Sequence, residues 1–407
     1  MIYNIVNSVK GGCGKSTFSI LLALGLHEKW YNNRLKAYAE ANSKPVDSDK
    51  DVQNEPGEGA YPSKEAIPDK EGTKDGDSEV AQPISEKLLE QTDVCLVDVD
   101  TQGTAMQYLL FGTNCKLAAD GRYLNDKVSS LSGDNQKCVV NCTWKKRRSD
   151  GASGKDMESD LSRQFDLVLC DPRQDAKDRF RAISNQNYTP EIQYSTFREG
   201  LKNLLQSLGR QNPYSYGQVI FDMPPNSDGY SDAVLDLLLN KAYSVMKKKD
   251  ISNMFLIQSL DRGQCSATME YFTSMMEQEN LSKADHIFLV YNETAKCQNE
   301  NIIVNTIQRE AARLNESLNL SEELKERIYF VTLRFVEKYY EICLTQDGIT
   351  NQELNNENGN RITLPIMMIA CLGHSDLVCN FSDYANLDEV KKKSTAENLF
   401  KIMEDIK

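Results

Sequence analysis

The residues best suited to chemistry stand at the start of the chain, in the run Lys10-Gly11-Gly12-Cys13-Gly14-Lys15-Ser16-Thr17. Glycines let a backbone curl until successive N–H groups point inward at an anion. A helix beginning directly afterwards adds the positive end of its dipole. In loops of this kind the lysine before the hydroxyl residue, here Lys15, reaches the β- and γ-phosphates of a nucleotide, and the hydroxyl, here Ser16, ligates Mg²⁺. The strict spacing places glycine five residues before Gly14, where this chain has Val9. In its place stand paired glycines and a second lysine, Lys10. The expected ligand is a nucleotide with Mg²⁺, held by Gly11, Gly12, Cys13, Gly14, Lys15, Ser16 and Thr17.

Acidic residues follow three apolar runs. Val94–Val97 leads into Asp98-Val99-Asp100-Thr101-Gln102-Gly103, and Val219–Phe221 leads into Asp222-Met223-Pro224-Pro225. Leu167–Leu169 leads to Asp171. Carboxylates at the end of a parallel strand, facing a phosphate loop, suit Mg²⁺ binding and the positioning of an attacking water. Asp222 and Asp171 are competing candidates for the Mg²⁺ acid.

The elements that would position these groups alternate. Continuous apolar runs read as strands at Ile2–Val6, Val94–Val97, Leu167–Leu169, Val219–Phe221, Met254–Ile257, Ile287–Tyr291 and Tyr329–Leu333. Helical patterns lie at Thr17–His27, Thr196–Leu208, Ser231–Lys247, Ser266–Glu279 and Asn301–Leu314. This alternation predicts an α/β fold with a doubly wound, mostly parallel sheet carrying polar insertions. Ligands in such sheets bind beyond the carboxyl ends of the strands, where the chemical residues fall.

With those elements in place, Lys10–Thr17 resembles the deviant Walker A motif, KGGxGK[ST], of the ParA/MinD-type ATPases (P-loop NTPase fold). The run Asp98–Gly103 resembles the family's DxDxQG motif, and Asp222–Pro225 its DxPP motif, forms nearer to ParA than to MinD. The resemblance covers most of residues 1–27, 91–112 and 165–345, in order. It implies a catalytic Lys10 that reaches across an ATP-sandwich dimer to the partner's phosphates. It implies that Asp100 orients the attacking water, that Asp98 supports the metal shell, and that Asp222 binds Mg²⁺ through water. Asn292 stands where the family places an Asn against the adenine edge, and it reads equally as a turn residue. The resemblance further implies an ATP-dependent homodimer reset by partner-stimulated hydrolysis, with plasmid or chromosome partitioning or cargo positioning as the role. Non-specific DNA and a ParB-like or cargo protein are the partners it suggests. Two other readings stand beside it: a small-molecule-activating or cofactor-maturation ATPase of the same superfamily, and a protein-docking assembly ATPase.

The 407 residues carry 47 Lys+Arg against 60 Asp+Glu, a net charge of −13 that argues against a generally basic, nucleic-acid-coating surface. Residues 40–84 hold 12 acidic and 5 basic side chains, five prolines, and no Leu, Phe, Met, Trp or Cys. That composition predicts a disordered insert. A second polar insert is expected over 132–163, including the basic run Lys145–Arg148, which reads as a solvated loop or as a contact for DNA phosphates. The rest is expected to form one elaborated domain over 1–407. No apolar run is long enough for a membrane span, and the amino terminus reads as a strand and not as a signal sequence, so a cytoplasmic location is expected. The apolar face Leu399, Phe400, Ile402, Met403, Ile406 lacks the basic flank of a membrane-surface helix and is expected to dock on the domain. Cys138 and Cys142 have no second Cys/His pair for zinc. The three histidines, His27, His286 and His374, are too dispersed for a catalytic set.

Overall fold

The computed structural model describes residues 1–42, 91–100, 106–111, 123–125, 139–146, 160–171, 190–208, 216–225, 229–239, 246–247, 249–277, 283–292, 300–333, 353–355, 361–363, 378–386, 399 and 403. Its centre is β1 (Ile2–Asn7), which runs into the glycine loop and then into α1 (Lys15–Asn42). There follow β2 (Val94–Asp98), α2 (Met106–Phe111), β3 (Val139–Lys146) and β4 (Asp160–Val168). Next come α3 (Pro190–Leu208), β5 (Gln218–Asp222), α4 (Gly229–Leu239), β6 (Ile251–Ser259) and α5 (Arg262–Glu277). The chain continues through β7 (His286–Asn292), α6 (Glu300–Leu318), α7 (Glu322–Lys325) and β8 (Ile328–Thr332). Three short strands close the series: β9 (Glu353–Asn355), β10 (Arg361–Thr363) and β11 (Val378–Asn380), the last leading into a 3-10 helix (Phe381–Asn386).

Nine strands form one sheet in the order β11-β8-β7-β6-β1-β5-β2-β4-β3. β1 pairs in parallel with β5 on one side and β6 on the other. The chain winds outward from β1 in both directions, and the loop after β1 therefore sits at the topological switch point, where open α/β sheets bind ligands. Among the described residues of this sheet only the edge pairs β3–β4 and β11–β8 are antiparallel, and β9 and β10 form a separate antiparallel pair. This is the P-loop NTPase-like, doubly wound α/β fold expected from the alternating pattern.

Both faces of the sheet are covered, so the central strands are apolar throughout and buried. One face packs under α3 to α6 through Phe197, Leu201, Val234, Phe272 and Ile307. The other packs under α1 and α2 through Phe18, Ile20, Leu24, Met106 and Leu110. Aromatic rings knit this second face: Phe255 stacks on Phe288 at 4.6 Å, Phe288 on Tyr329 at 5.1 Å, and Phe18 of α1 tilts against Phe255 at 5.3 Å. Offset pairs of this kind add to the area they bury.

The structure departs from the pattern in three places. α1 continues fifteen residues past His27 to Asn42, so the first three residues of the expected 40–84 insert are helical; residues 43–84 lie outside the described residues. Its second half is polar but carries Trp30, Tyr31 and Leu35, which pack together and give it a narrow apolar stripe. The helix expected over Ser231–Lys247 spans Gly229–Leu239, with Met246 and Lys247 outside it. Within 132–163, β3 and the start of β4 add an antiparallel pair to the sheet edge. Lys145 and Lys146 end β3, while Arg147 and Arg148 lie outside the described residues. Leu399 and Met403 are helical, four residues apart and buried against the α1 face, which agrees with docking of the tail. Phe400, Ile402 and Ile406 lie outside the described residues. Among the described residues no helix is long and apolar enough to cross a membrane.

Candidate nucleotide site

The loop after β1 is shaped by two glycines in the left-handed region, Gly12 at φ 81° and Gly14 at φ 84°. Any side chain at Gly14 would also collide with Asn292, whose Nδ2 lies 2.3 Å from the position a Cβ would take. That approach has a purpose: Asn292 Nδ2 donates to the Cys13 carbonyl at 2.9 Å. The end of β7 is thereby tied to the middle of the loop. The amide that sequence reasoning set against an adenine edge is thus engaged with the loop itself.

Lys15 and Ser16 open α1, and both turn onto one carboxylate. Lys15 Nζ lies 3.0 Å from Asp222 Oδ1, and Ser16 Oγ donates to Asp222 Oδ2 at 2.7 Å. Ser19, one turn further along, donates to Asp222 Oδ1 at 2.8 Å. Asp222 ends β5, directly beside β1, and is 1% exposed. Burial works against the Lys15 charge, but Asp222, with Asp100 and Asp98 behind it, outweighs burial and holds the ammonium above its ordinary pKa.

Asp98 lies opposite Asp222 in the register of β2 and β5. It is 1% exposed, and its Oδ1 accepts from the Asp100 backbone N–H at 3.1 Å. Its Oδ2 is buried with no hydrogen-bond partner among the described residues. Burial, then the neighbouring Asp222 and Asp100, push the Asp98 carboxyl well above the usual carboxylate range. A buried carboxylate beside a second one is costly unless a cation compensates it. Ser16 Oγ, Asp222 and the orphaned Asp98 oxygen are the hard oxygen donors that Mg²⁺ takes, so the residues present fit the ion.

The remaining expected residues fall around this centre. Asp100 is half-buried just past β2. Lys10 is exposed, with its Nζ 3.5 Å from where a Cβ on Gly263 of α5 would sit. Thr17 lies in the first turn of α1, and Gly11 is open to solvent. Cys13 is 2% exposed, and burial raises its thiol pKa, so it is packed and not poised for oxidation. Asp171 is one strand further out, past β4, where its backbone N–H donates to Asn125 Oδ1. Thr101, Gln102 and Gly103 lie outside the described residues. His27 is packed against Trp30 and Tyr31, and His286 starts β7, between β6 and β8.

Sequence reasoning missed Ser19. Its place one turn after Ser16, on the same helix face, was the available signal. It also missed the bracing role of Asn292, which no local pattern encodes.

The fold and this loop define a P-loop NTPase-like α/β protein. No protein-family model and no curated protein sequence matches the chain. Solved structures similar to it include an ATP complex of McdA from Cyanothece, at 12% identity over 93% of this chain and 99% of that one, TM-score 0.43. A ParA family ATPase from Chlorobium tepidum is similar at 12% identity over 85% and 88% of the two chains, TM-score 0.42. The cell division ATPase MinD of Pyrococcus furiosus is similar at 11% identity over 75% and 78%, TM-score 0.36.

Proposed function

We propose that the chain is a ParA/MinD-type ATPase that binds Mg·ATP at the glycine loop and switches between a monomer and an ATP-sandwich dimer. The observation that carries this reading is the convergence of Lys15 and Ser16 on Asp222, with a second loop lysine, Lys10, left exposed. The loop N–H groups and Lys15 grip the β- and γ-phosphates. Ser16 and Asp222 hold Mg²⁺, directly or through water, with Asp98 behind them. When bound, Mg²⁺ supplies the positive charge that offsets charge on the phosphate oxygens. Asp100 orients the attacking water, and Lys10 serves the partner's phosphates across the dimer. Phosphoryl transfer is mostly positioning and charge stabilisation, so gripping and hydrolysing should be separable by mutation. In the cytoplasm such a cycle would serve partitioning or cargo positioning, with non-specific DNA held by the ATP dimer and a ParB-like or cargo protein stimulating turnover.

The test is light scattering and phosphate release with ATP and Mg²⁺. Lys10→Ala should bind ATP but fail to dimerise. Asp100→Ala should dimerise and stay dimeric, with hydrolysis reduced at least ~100-fold. Normal ATP-driven dimers from Lys10→Ala would reject the deviant-motif reading, and wild-type turnover by Asp100→Ala would move the water-orienting role elsewhere. A gel shift on non-specific duplex, with and without ATP, tests the DNA partner; ATP-dependent, salt-sensitive retention is expected.

A further inference from the structure

At the edge of the sheet opposite the phosphate loop, a cleft of about 330 Å³ opens at the amino ends of β1, β2 and β5, beside the second half of α1. Its size is at the lower end for small-molecule sites, about 300–1,000 Å³. Leu26 and Met403 supply apolar surface, and the Trp30 indole forms a wall.

Two independent features of the lining ask for an anion. The first is Gln218, which is 8% exposed. Its Oε1 accepts from Asn4 Nδ2 at 2.9 Å, and Asn4 Oδ1 accepts in turn from Asn253 Nδ2 at 2.9 Å. This row of amides across β6, β1 and β5 fixes the Gln218 head group with Oε1 toward Asn4. Its Nε2 is left as a donor on the cleft side, and no hydrogen bond among the described residues uses it. A buried amide held in one orientation with an unused donor is a prepared contact for an acceptor. The second feature is Arg34, whose guanidinium stands 5.8 Å from the Trp30 ring centroid and makes no ion pair or hydrogen bond among the described residues. Lys29 also lines the cleft. The one acid there, Asp93, already accepts from the Gly217 N–H at 2.6 Å. The Gln218 amide and the Arg34 guanidinium are therefore the donors that the lining offers to a ligand.

We propose that this cleft binds a small organic anion: a carboxylate seated between the Arg34 guanidinium and Gln218 Nε2, with a planar apolar body against Trp30 and Met403. The site is separate from the nucleotide loop, which lies at the other ends of the same strands.

The probe is 1-naphthoate, titrated calorimetrically into the full chain. One saturable site is expected, with a Kd of about 1 mM or tighter. Arg34→Gln, an exposed change on a helix surface, should weaken it at least ~10-fold. The neutral 1-naphthylmethanol should bind at least ~10-fold more weakly to the wild type. Lys15→Ala should leave the naphthoate affinity unchanged. Absence of saturable heat overturns the proposal, as does equal affinity for the alcohol or an unaltered Kd in Arg34→Gln. Loss of binding in Lys15→Ala also overturns it, because the anion would then sit at the phosphate loop.

Discussion

The two ends of the central strands solve the same problem with different chemistry. Both bury polar side chains on β1 and its neighbours. At the carboxyl end they are ions: Lys15, Asp222 and Asp98, with one carboxylate oxygen unsatisfied. At the amino end they are neutral amides, Asn253, Asn4 and Gln218, linked head to tail. Amides hold a geometry at little electrostatic cost, whereas buried ions of one sign need a counter-ion. The excess negative charge beside Lys15 at the carboxyl end therefore favours a cation there, which the proposed Mg·ATP would supply. The amide row also has loose ends, the buried Asn253 Oδ1 without a hydrogen-bond partner among the described residues and the Gln218 Nε2, but neither carries a net charge.

The largest expected effect falls at the ionic end. Lys15→Ala removes the cation facing Asp222 and should reduce ATP affinity at least ~100-fold, read by equilibrium binding of a fluorescent ATP analogue. Next comes the amide row. Asn4→Leu strands the Gln218 Oε1 and the Asn253 Nδ2, and should lower unfolding stability by about 2–3 kcal/mol in urea while ATP affinity stays at the wild-type value. A parallel fall in ATP affinity would show that the two ends are not separable.

A smaller, opposite effect is expected for Asp98. Its carboxyl pKa is raised in the folded chain, so its contribution is fully present below the ordinary carboxylate range and is lost as pH rises through the folded value. Asp98→Asn should therefore raise the nucleotide-free Tm at neutral pH by a few degrees, and should shrink the additional rise produced by Mg·ATP. A lower Tm in the variant would mean that the carboxylate is already compensated. The mildest effect belongs to His286 at the start of β7. Burial lowers its pKa to about 4, so its contribution is present above about 6.5 and lost as pH falls toward 4. His286→Gln should flatten the stability profile across that window by thermal melts, leaving neutral-pH stability nearly unchanged.

The ionic end was legible in the sequence, and the amide end was not. Glycine spacing, a lysine–serine pair and acids after apolar runs have few meanings together, and the elements around them repeat with regular periods. Asn4 sits inside the strand run IYNIVN, and nothing local says that its partner lies more than two hundred residues away in Gln218. The edge strand β3 was hidden for a related reason. Its sequence, VVNCTWKK, belongs to a polar region, and an edge strand needs only one partner and one covered face. The extension of α1 was hidden because its apolar stripe narrows to Trp30, Tyr31 and Leu35.

The 28 residues of α1 give that helix a mechanical role. At 1.5 Å per residue it is about 42 Å long, roughly twice the length of the six-residue strand that feeds it. Its root carries the lysine and serine of the phosphate loop, and its far half overhangs the sheet. A stiff rod pivoting at one end magnifies motion: a tilt of about 5° at the root would sweep the tip through roughly 4 Å. If the proposed triphosphate tilted the root by that much, the change would arrive at Asn42 as a displacement as large as a side chain.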